Sequence, residues 1–216
     1  VRDVAARVDW VRLLYLYPSD LSDELIGAIL DTGVPYFDLS LQHVSKEHLR
    51  RMRRWGDGER FLERIRRIRE AAPAATFRSN FIVGYPGETE DDHDMLLHFV
   101  EEARLDWCGF FSFSPEQGTH AMTLPDHVPA PLAAERLAEL RELQDSITVA
   151  SRDNIVGEIV RVLVDAPGVG RSFREAPEID GIVHVPHHLA AGGFHDVVVG
   201  EALGPDLIAE GAVLVE

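Results

Sequence analysis

The chain has 216 residues, 21 basic and 37 acidic, for a formal net charge of −16. An apolar share of 45% supplies a real core, which excludes a disordered chain, and a single cysteine excludes an internal disulfide. Nothing approaches the roughly eighteen consecutive apolar residues of a membrane span, no secretory signal opens the sequence, and the cytoplasm is the expected compartment.

The sequence begins at Val1 with a strand-like run close behind, so the expectation is a portion cut from a longer polypeptide. Short apolar runs bounded by Gly, Pro, Ser or Asp predict strands at residues 11–17, 36–41, 76–83 and 107–113. Helical patterns lie between them. Ser22 caps the first, which carries Leu25, Ile26, Ile29 and Leu30 and stops at Gly33. The second covers about residues 46–72, breaks near Gly56 and Gly58, and then lines up Phe61, Leu62, Ile65 and Ile68. Thr89 and Asp92 make a capping pattern before Met95, Leu96, Phe99 and Val100. Repeated strand–helix units imply parallel strands with helical crossovers.

Pro125, Pro129 and Pro131 interrupt this pattern, and a long helix follows over about residues 132–152 on a Leu137, Leu140, Leu143 and Ile147 stripe. Beyond Asn154, short β-type runs at 159–164, 182–185, 197–202 and 212–215 predict a small all-β module, a five-stranded barrel. The expected division is thus residues 1–153, an α/β domain with its connecting helix, and 154–216, a β-barrel.

Charge is unevenly spread. Residues 44–70 hold ten basic and five acidic side chains, including Arg50, Arg51, Arg53, Arg54, Arg60, Arg64, Arg66, Arg67 and Arg69. That stretch is either a solvated helical face with Glu63 and Glu70 as internal partners or a patch for an acidic partner. Residues 154–216 hold ten acidic and three basic side chains, a net −7 that suits RNA poorly.

Several chemistries are excluded. The one lysine, Lys46, follows no glycine loop, so there is no Walker motif; Gly168 and Gly170 are followed by Phe173 where a dinucleotide fingerprint needs glycine. No Gly-x-Ser-x-Gly elbow occurs. His43 and His48 are five apart and match no zinc-helix spacing; His187 and His188 read as surface residues and Cys108 as a core thiol.

In parallel α/β folds, chemistry gathers at the C-terminal strand ends. Those ends carry Gln42 and His43, which offer donors and acceptors, and the turn Gly84-Tyr85-Pro86-Gly87-Glu88, whose glycines admit a close backbone approach. Arg78 and Asn80 alternate along one strand and share a face, where a charge needs a partner and invites a carboxylate ligand. From residues alone, the site suits a small, partly anionic molecule.

The same residues carry a family resemblance. Trp10-Val-Arg-Leu-Leu-Tyr-Leu-Tyr-Pro18, Leu41-Gln-His43, Phe81-Ile-Val-Gly-Tyr-Pro-Gly-Glu-Thr-Glu90 and Phe113-Ser-Pro-Glu-Gln-Gly-Thr119 resemble the radical-SAM methylthiotransferases. Arg171-Ser-Phe-Arg-Glu-Ala-Pro-Glu-Ile-Asp-Gly181 is similar to the start of the TRAM module in the RimO branch. The resemblance implies the C-terminal part of a partial (β/α) barrel followed by an OB-type TRAM barrel. It implies methylthiolation of the β-carbon of an aspartate in the small-subunit ribosomal protein numbered twelve. It further implies S-adenosylmethionine and two four-iron four-sulfur clusters, one of which cleaves S-adenosylmethionine to a radical while sulfur is delivered at the other. The CxxxCxxC loop and the N-terminal domain that would hold those clusters are absent from this sequence, so the fragment alone is expected to be inactive. By position, Gln42, His43, Arg78, Asn80, Gly84, Pro86, Gly87 and Glu88 are the expected cofactor contacts. The alternatives are a tRNA methylthiotransferase of the MiaB type, against which the acidic module counts, and a non-catalytic docking module. The resemblance names no electron donor.

Overall fold

A computed structural model describes residues 1–212, which form two compact units, one over residues 1–144 and one from residue 145 onward. In the first unit the order is α1 (Arg2–Ala5), α2 (Asp23–Leu30), β1 (Tyr36–Gln42), α3 (Lys46–Arg51), α4 (Gly58–Ala71), β2 (Thr76–Val83), α5 (Glu90–Ala103) and β3 (Trp107–Ser112). A 3-10 turn (Ala121–Thr123) precedes α6 (Ala130–Asp153), which begins in the first unit and ends in the second.

The three strands form one parallel sheet in the order β1-β2-β3. Alternation along them makes two faces. Phe37, Phe77, Phe81, Val83 and Phe110 point toward the helices and are almost completely buried with Ile65, Ile68, Leu96, Phe99 and Val100. Rings stack within this layer, Phe37 on Phe77 at 5.4 Å and Phe81 on Phe110 at 5.9 Å. The other face carries Asp38, Arg78, Asn80, Ile82, Trp107, Gly109 and Phe111.

Local sequence explains the helix starts. The Ser22 hydroxyl accepts the Leu25 N–H, and Thr89 with Asp92 closes a reciprocal capping box at α5. Met95, expected on the inner stripe of α5, is exposed instead, because the buried positions fall at His93, Leu96, Phe99, Val100 and Ala103. The strand expected at residues 11–17 is reduced to a single parallel bridge from Leu16 to Leu39. Tyr15 adopts φ +58, a left-handed conformation that no strand continues through.

The second unit is a closed barrel, β4-β5-β6-β8-β7, built from β4 (Ile159–Ala166), β5 (Val169–Arg171), β6 (Val183–His184), β7 (Phe194–Leu203) and β8 (Asp206–Ala212). Val160, Val162, Val164, Val183, Val197, Val199 and Leu207 alternate inward to form its core. Of the four expected strands, those at 159–164, 182–185 and 197–202 fall within or overlap β4, β6 and β7; the one at 212–215 lies beyond the described residues except for Ala212. The unforeseen β5 depends on Gly170, where a Cβ would sit 2.5 Å from the Val162 side chain. Closure leaves no open edge along this barrel.

Candidate cofactor site

The ends of β1 and β2 meet the start of α3, the start of α5 and one turn of α6. Gln42 ends β1 at φ +69, where a non-glycine residue is disfavoured by about 1–2 kcal/mol, and the ladder shifts register between Leu39 and Gln42. The next residue, His43, is completely buried. Its Nδ1 accepts the Ser45 N–H at 3.0 Å, which leaves Nε2 to carry the ring proton toward Glu88 Oε2, 3.7 Å away.

The turn after β2 needs both of its glycines. Gly84 has φ +79 and Gly87 φ +83; a Cβ on Gly84 would lie 2.9 Å from the Ala133 Cβ, and one on Gly87 2.3 Å from Arg51 Nη1. Arg51 instead donates to the Pro86 carbonyl at 3.2 Å. Glu88 closes the turn from beneath. Its Oε2 accepts the Gly84 N–H at 2.9 Å and its Oε1 accepts from Arg136 Nη1 at 2.8 Å, with both side chains almost fully buried. Burial alone would raise the Glu88 carboxyl; His43, the Gly84 amide and Arg136 outweigh it and hold the group below the usual carboxylate range.

Behind this layer, the His43 and His48 rings meet edge to face at 4.8 Å, and His48 Nε2 lies 3.2 Å from Asp92 Oδ2. Their separation of five residues was no obstacle, because one follows a strand and the other sits in α3. Burial first, and then the neighbouring His43, push His48 below its ordinary value against the pull of Asp92. Asp92 is held well below the carboxylate range, since the Thr89 hydroxyl and amide, Ser45 and His48 overcome its burial.

Thus His43, Gly84, Pro86, Gly87 and Glu88 form one assembly, with Gln42 at its edge. His43 and Glu88 face protein groups. Arg78 and Asn80 lie apart from it, along the sheet face away from the helices. The carboxylate expected on Arg78 from a ligand is supplied by the protein: Asp38 Oδ1 is 3.1 Å from Arg78 Nη1, and Asp38 is 1% exposed. Asp38 Oδ2 also accepts the Tyr15 N–H at 3.0 Å. Asn80 Oδ1, in contrast, is buried with no hydrogen-bond partner among the described residues. It lies over Gly109, where a Cβ would be 2.5 Å away, beside the exposed ring of Phe111.

Asp38, Gly109, Phe111 and Arg136 escaped the sequence reading. The pleat offered a signal for three of them, since Asp38 and Gly109 interrupt apolar runs and Phe111 shares a face with Gly109. Arg136 carried no such mark, one arginine on a long amphipathic helix. The arginine-rich stretch 44–70 is spent internally for the most part, but with partners other than Glu63 and Glu70. Arg66 pairs with Glu102, Arg67 with Asp23 at 2.8 Å, and Arg69 donates to the Ala103 carbonyl at 2.7 Å. A cavity of about 590 Å³ lies on the helical side, lined by Val44, Leu62, Met95 and Phe99 among others.

Among the described residues no three His, Cys, Asp or Glu side chains come together to hold a metal ion. Cys108 is half-buried in β3, in register with Ser79, and burial pushes its thiol well up against the opposing influence of Arg78.

Residues 4–100 match the Radical SAM superfamily and residues 156–211 the TRAM domain. A ribosomal protein uS12 methylthiotransferase RimO of Moorella thermoacetica is 51% identical over 180 residues, 82% of this chain and 42% of that protein. The chain belongs to the RimO-type radical-SAM methylthiotransferases. Another RimO, from Aeromonas salmonicida, is 45% identical over 212 residues, 94% of this chain and 48% of its own length. The chain therefore spans less than half the length of the RimO relatives it matches. Coproporphyrinogen III oxidase of Escherichia coli, a radical SAM enzyme, shares the fold at 15% identity, with a TM-score of 0.50 over 85% of this chain and 45% of that one. Within this RimO-type chain, the radical-SAM match takes in the eight expected contacts, whereas Arg136 falls outside both matched segments. No helix among the described residues is long and apolar enough to cross a membrane.

Proposed function

We propose that this chain is the cofactor-positioning and substrate-docking portion of a cytoplasmic enzyme that methylthiolates the β-carbon of an aspartate in ribosomal protein uS12. The observation that carries the reading is the identity of 43–51% to RimO proteins over 82–94% of the chain. The acidic balance of residues 154–216 supports a basic protein substrate over tRNA.

S-Adenosylmethionine, when bound, supplies the radical and the methyl group. The chain's own residues fit it in a specific way. Asn80 Oδ1 is an unused acceptor beside the flat, exposed ring of Phe111, a pairing suited to the amino edge and face of an adenine. The Gly84–Gly87 turn shapes the end of β2 through its two left-handed glycines, and Gln42 adds a side-chain amide at the rim. His43 and Glu88 serve as the support beneath that turn, and Arg78 keeps its charge compensated by Asp38. One cysteine and no metal-competent cluster among the described residues do not fit an iron–sulfur centre, so the reading assigns both clusters to polypeptide outside this sequence.

The test is to load the full-length protein with its clusters and offer it S-adenosylmethionine, a reductant and either uS12 or tRNA. Mass spectrometry of uS12 is expected to show one methylthio group on one aspartate. Modified tRNA with unmodified uS12 would overturn the substrate assignment.

A further inference from the structure

The Gly84–Glu88 turn is held from behind by a helix that lies beyond the radical-SAM match. Two residues of α6, one turn apart, reach it. Ala133 packs against Gly84 so closely that a Cβ there would lie 2.9 Å from its own. Arg136 divides its guanidinium, Nη1 going to Glu88 Oε1 at 2.8 Å and to the Glu88 carbonyl at 3.3 Å, and Nη2 to Glu90 Oε1 at 2.6 Å. The other oxygen of Glu88 accepts the Gly84 N–H at 2.9 Å. The chain of contacts therefore runs from Arg136 through one carboxylate to the first residue of the turn.

Each link has a physical reason. A carboxylate as buried as Glu88 is costly without a counter-charge, and the planar fork of arginine fixes its orientation as well as its charge. His43 lies farther off, its Nε2 3.7 Å from Glu88 Oε2, so the short charged contact to Glu88 comes from Arg136. The turn itself is left-handed at both glycines, so its backbone has more freedom than any other residue pair would allow and relies on contacts to hold one shape.

We infer that Arg136 is a positioning residue for the adenosyl cofactor, acting through Glu88 to hold the Gly84–Glu88 turn in its binding shape. This rests on the reading that the unit binds S-adenosylmethionine. Removing the guanidinium frees one carboxylate oxygen and lets the Gly84 amide move with it. A turn that must be re-ordered as the ligand arrives loses preorganisation, a cost that falls on binding.

The experiment uses the full-length, cluster-loaded protein as wild type, Arg136→Met and Arg136→Lys. Affinity for S-adenosylhomocysteine, which does not react, is measured by calorimetry, alongside KM for S-adenosylmethionine, kcat and the melting temperature. Arg136→Met is expected to weaken the affinity and raise KM by roughly tenfold with a smaller change in kcat. Arg136→Lys, which keeps the charge and loses the fork, is expected to fall between the two. A lower melting temperature with affinity and KM unchanged would make Arg136 purely structural and overturn the inference while the reading stands. If Arg136→Met does not fold, Arg136→Lys decides, and wild-type affinity and KM in that variant overturn the inference. Wild-type protein that fails to bind S-adenosylhomocysteine would instead bring down the reading itself.

Discussion

The α/β unit and the barrel each bury one glutamate beneath an arginine of α6, and the two pairs differ in what surrounds them. In the barrel, Glu175 is completely buried, lies 2.5 Å from Arg152 and accepts both the amide and the hydroxyl of Ser172. Glu88 has the same ingredients, an arginine and a backbone N–H, but its arginine is shared with the exposed Glu90 and a histidine stands close without bonding. One pair is tied into its own loop through the amide and hydroxyl of Ser172. The other sits under a glycine turn, which is tied in addition by the Gly87 N–H donating to the Asp126 carbonyl at 2.8 Å. The same electrostatic device thus anchors a serine-capped loop in one unit and a glycine turn in the other.

The largest expected effect separates the two pairs directly. Glu175→Leu leaves the buried Arg152 without its carboxylate and is expected to cost about 3–5 kcal/mol, read as a drop in the unfolding midpoint in denaturant. Glu88→Leu leaves Arg136 its bond to Glu90 and is expected to cost about 1–3 kcal/mol. Equal losses would break the comparison.

Acid sharpens it next. His48 titrates lower in the folded protein than its ordinary 6.5, so the unfolded chain takes up that proton first as the pH falls. Its contribution to stability is complete above about 6.5 and is lost as the pH drops from there through the lowered folded value. Unfolding curves between pH 8 and 5 on the wild type and His48→Gln should show a shallower acid dependence in the variant. Identical slopes would remove His48 from the account.

The smallest effect is expected where an ion pair is solvated. Asp23→Ala removes the partner of Arg67, both more than half exposed, and should change stability by less than about 0.5 kcal/mol. A loss several times larger would mean that burial is not what distinguishes the two glutamates.

Much of this was legible in the residues. β2 occupies the expected positions 76–83, and β1 and β3 differ from expectation by one residue each, because their buried faces leave no choice of register. Capping at Ser22 and Thr89 was equally plain. What failed depended on contacts distant in sequence. Tyr15 turns left-handed within a run that reads as strand, and Val169–Arg171 reads as a glycine turn although Gly170 is there to let β5 approach β4. For the strand-end assembly, the turn and His43 could be named in advance, but the partner of Arg78 is forty residues earlier and that of Glu88 forty-eight residues later. Pattern within a window cannot reach that far.

The pairing of Asp38 with Arg78 has a consequence for how a ligand is chosen. The two charges cancel within 3.1 Å, so a molecule arriving on that sheet face meets a short dipole instead of a net charge. Attraction to a dipole fades quickly with distance, and little of it remains to be screened by dissolved ions. Under the function proposed above, capture here is expected to be indifferent to ionic strength, with discrimination among ligands of different charge left to the uncharged groups, the Asn80 amide and the Phe111 ring.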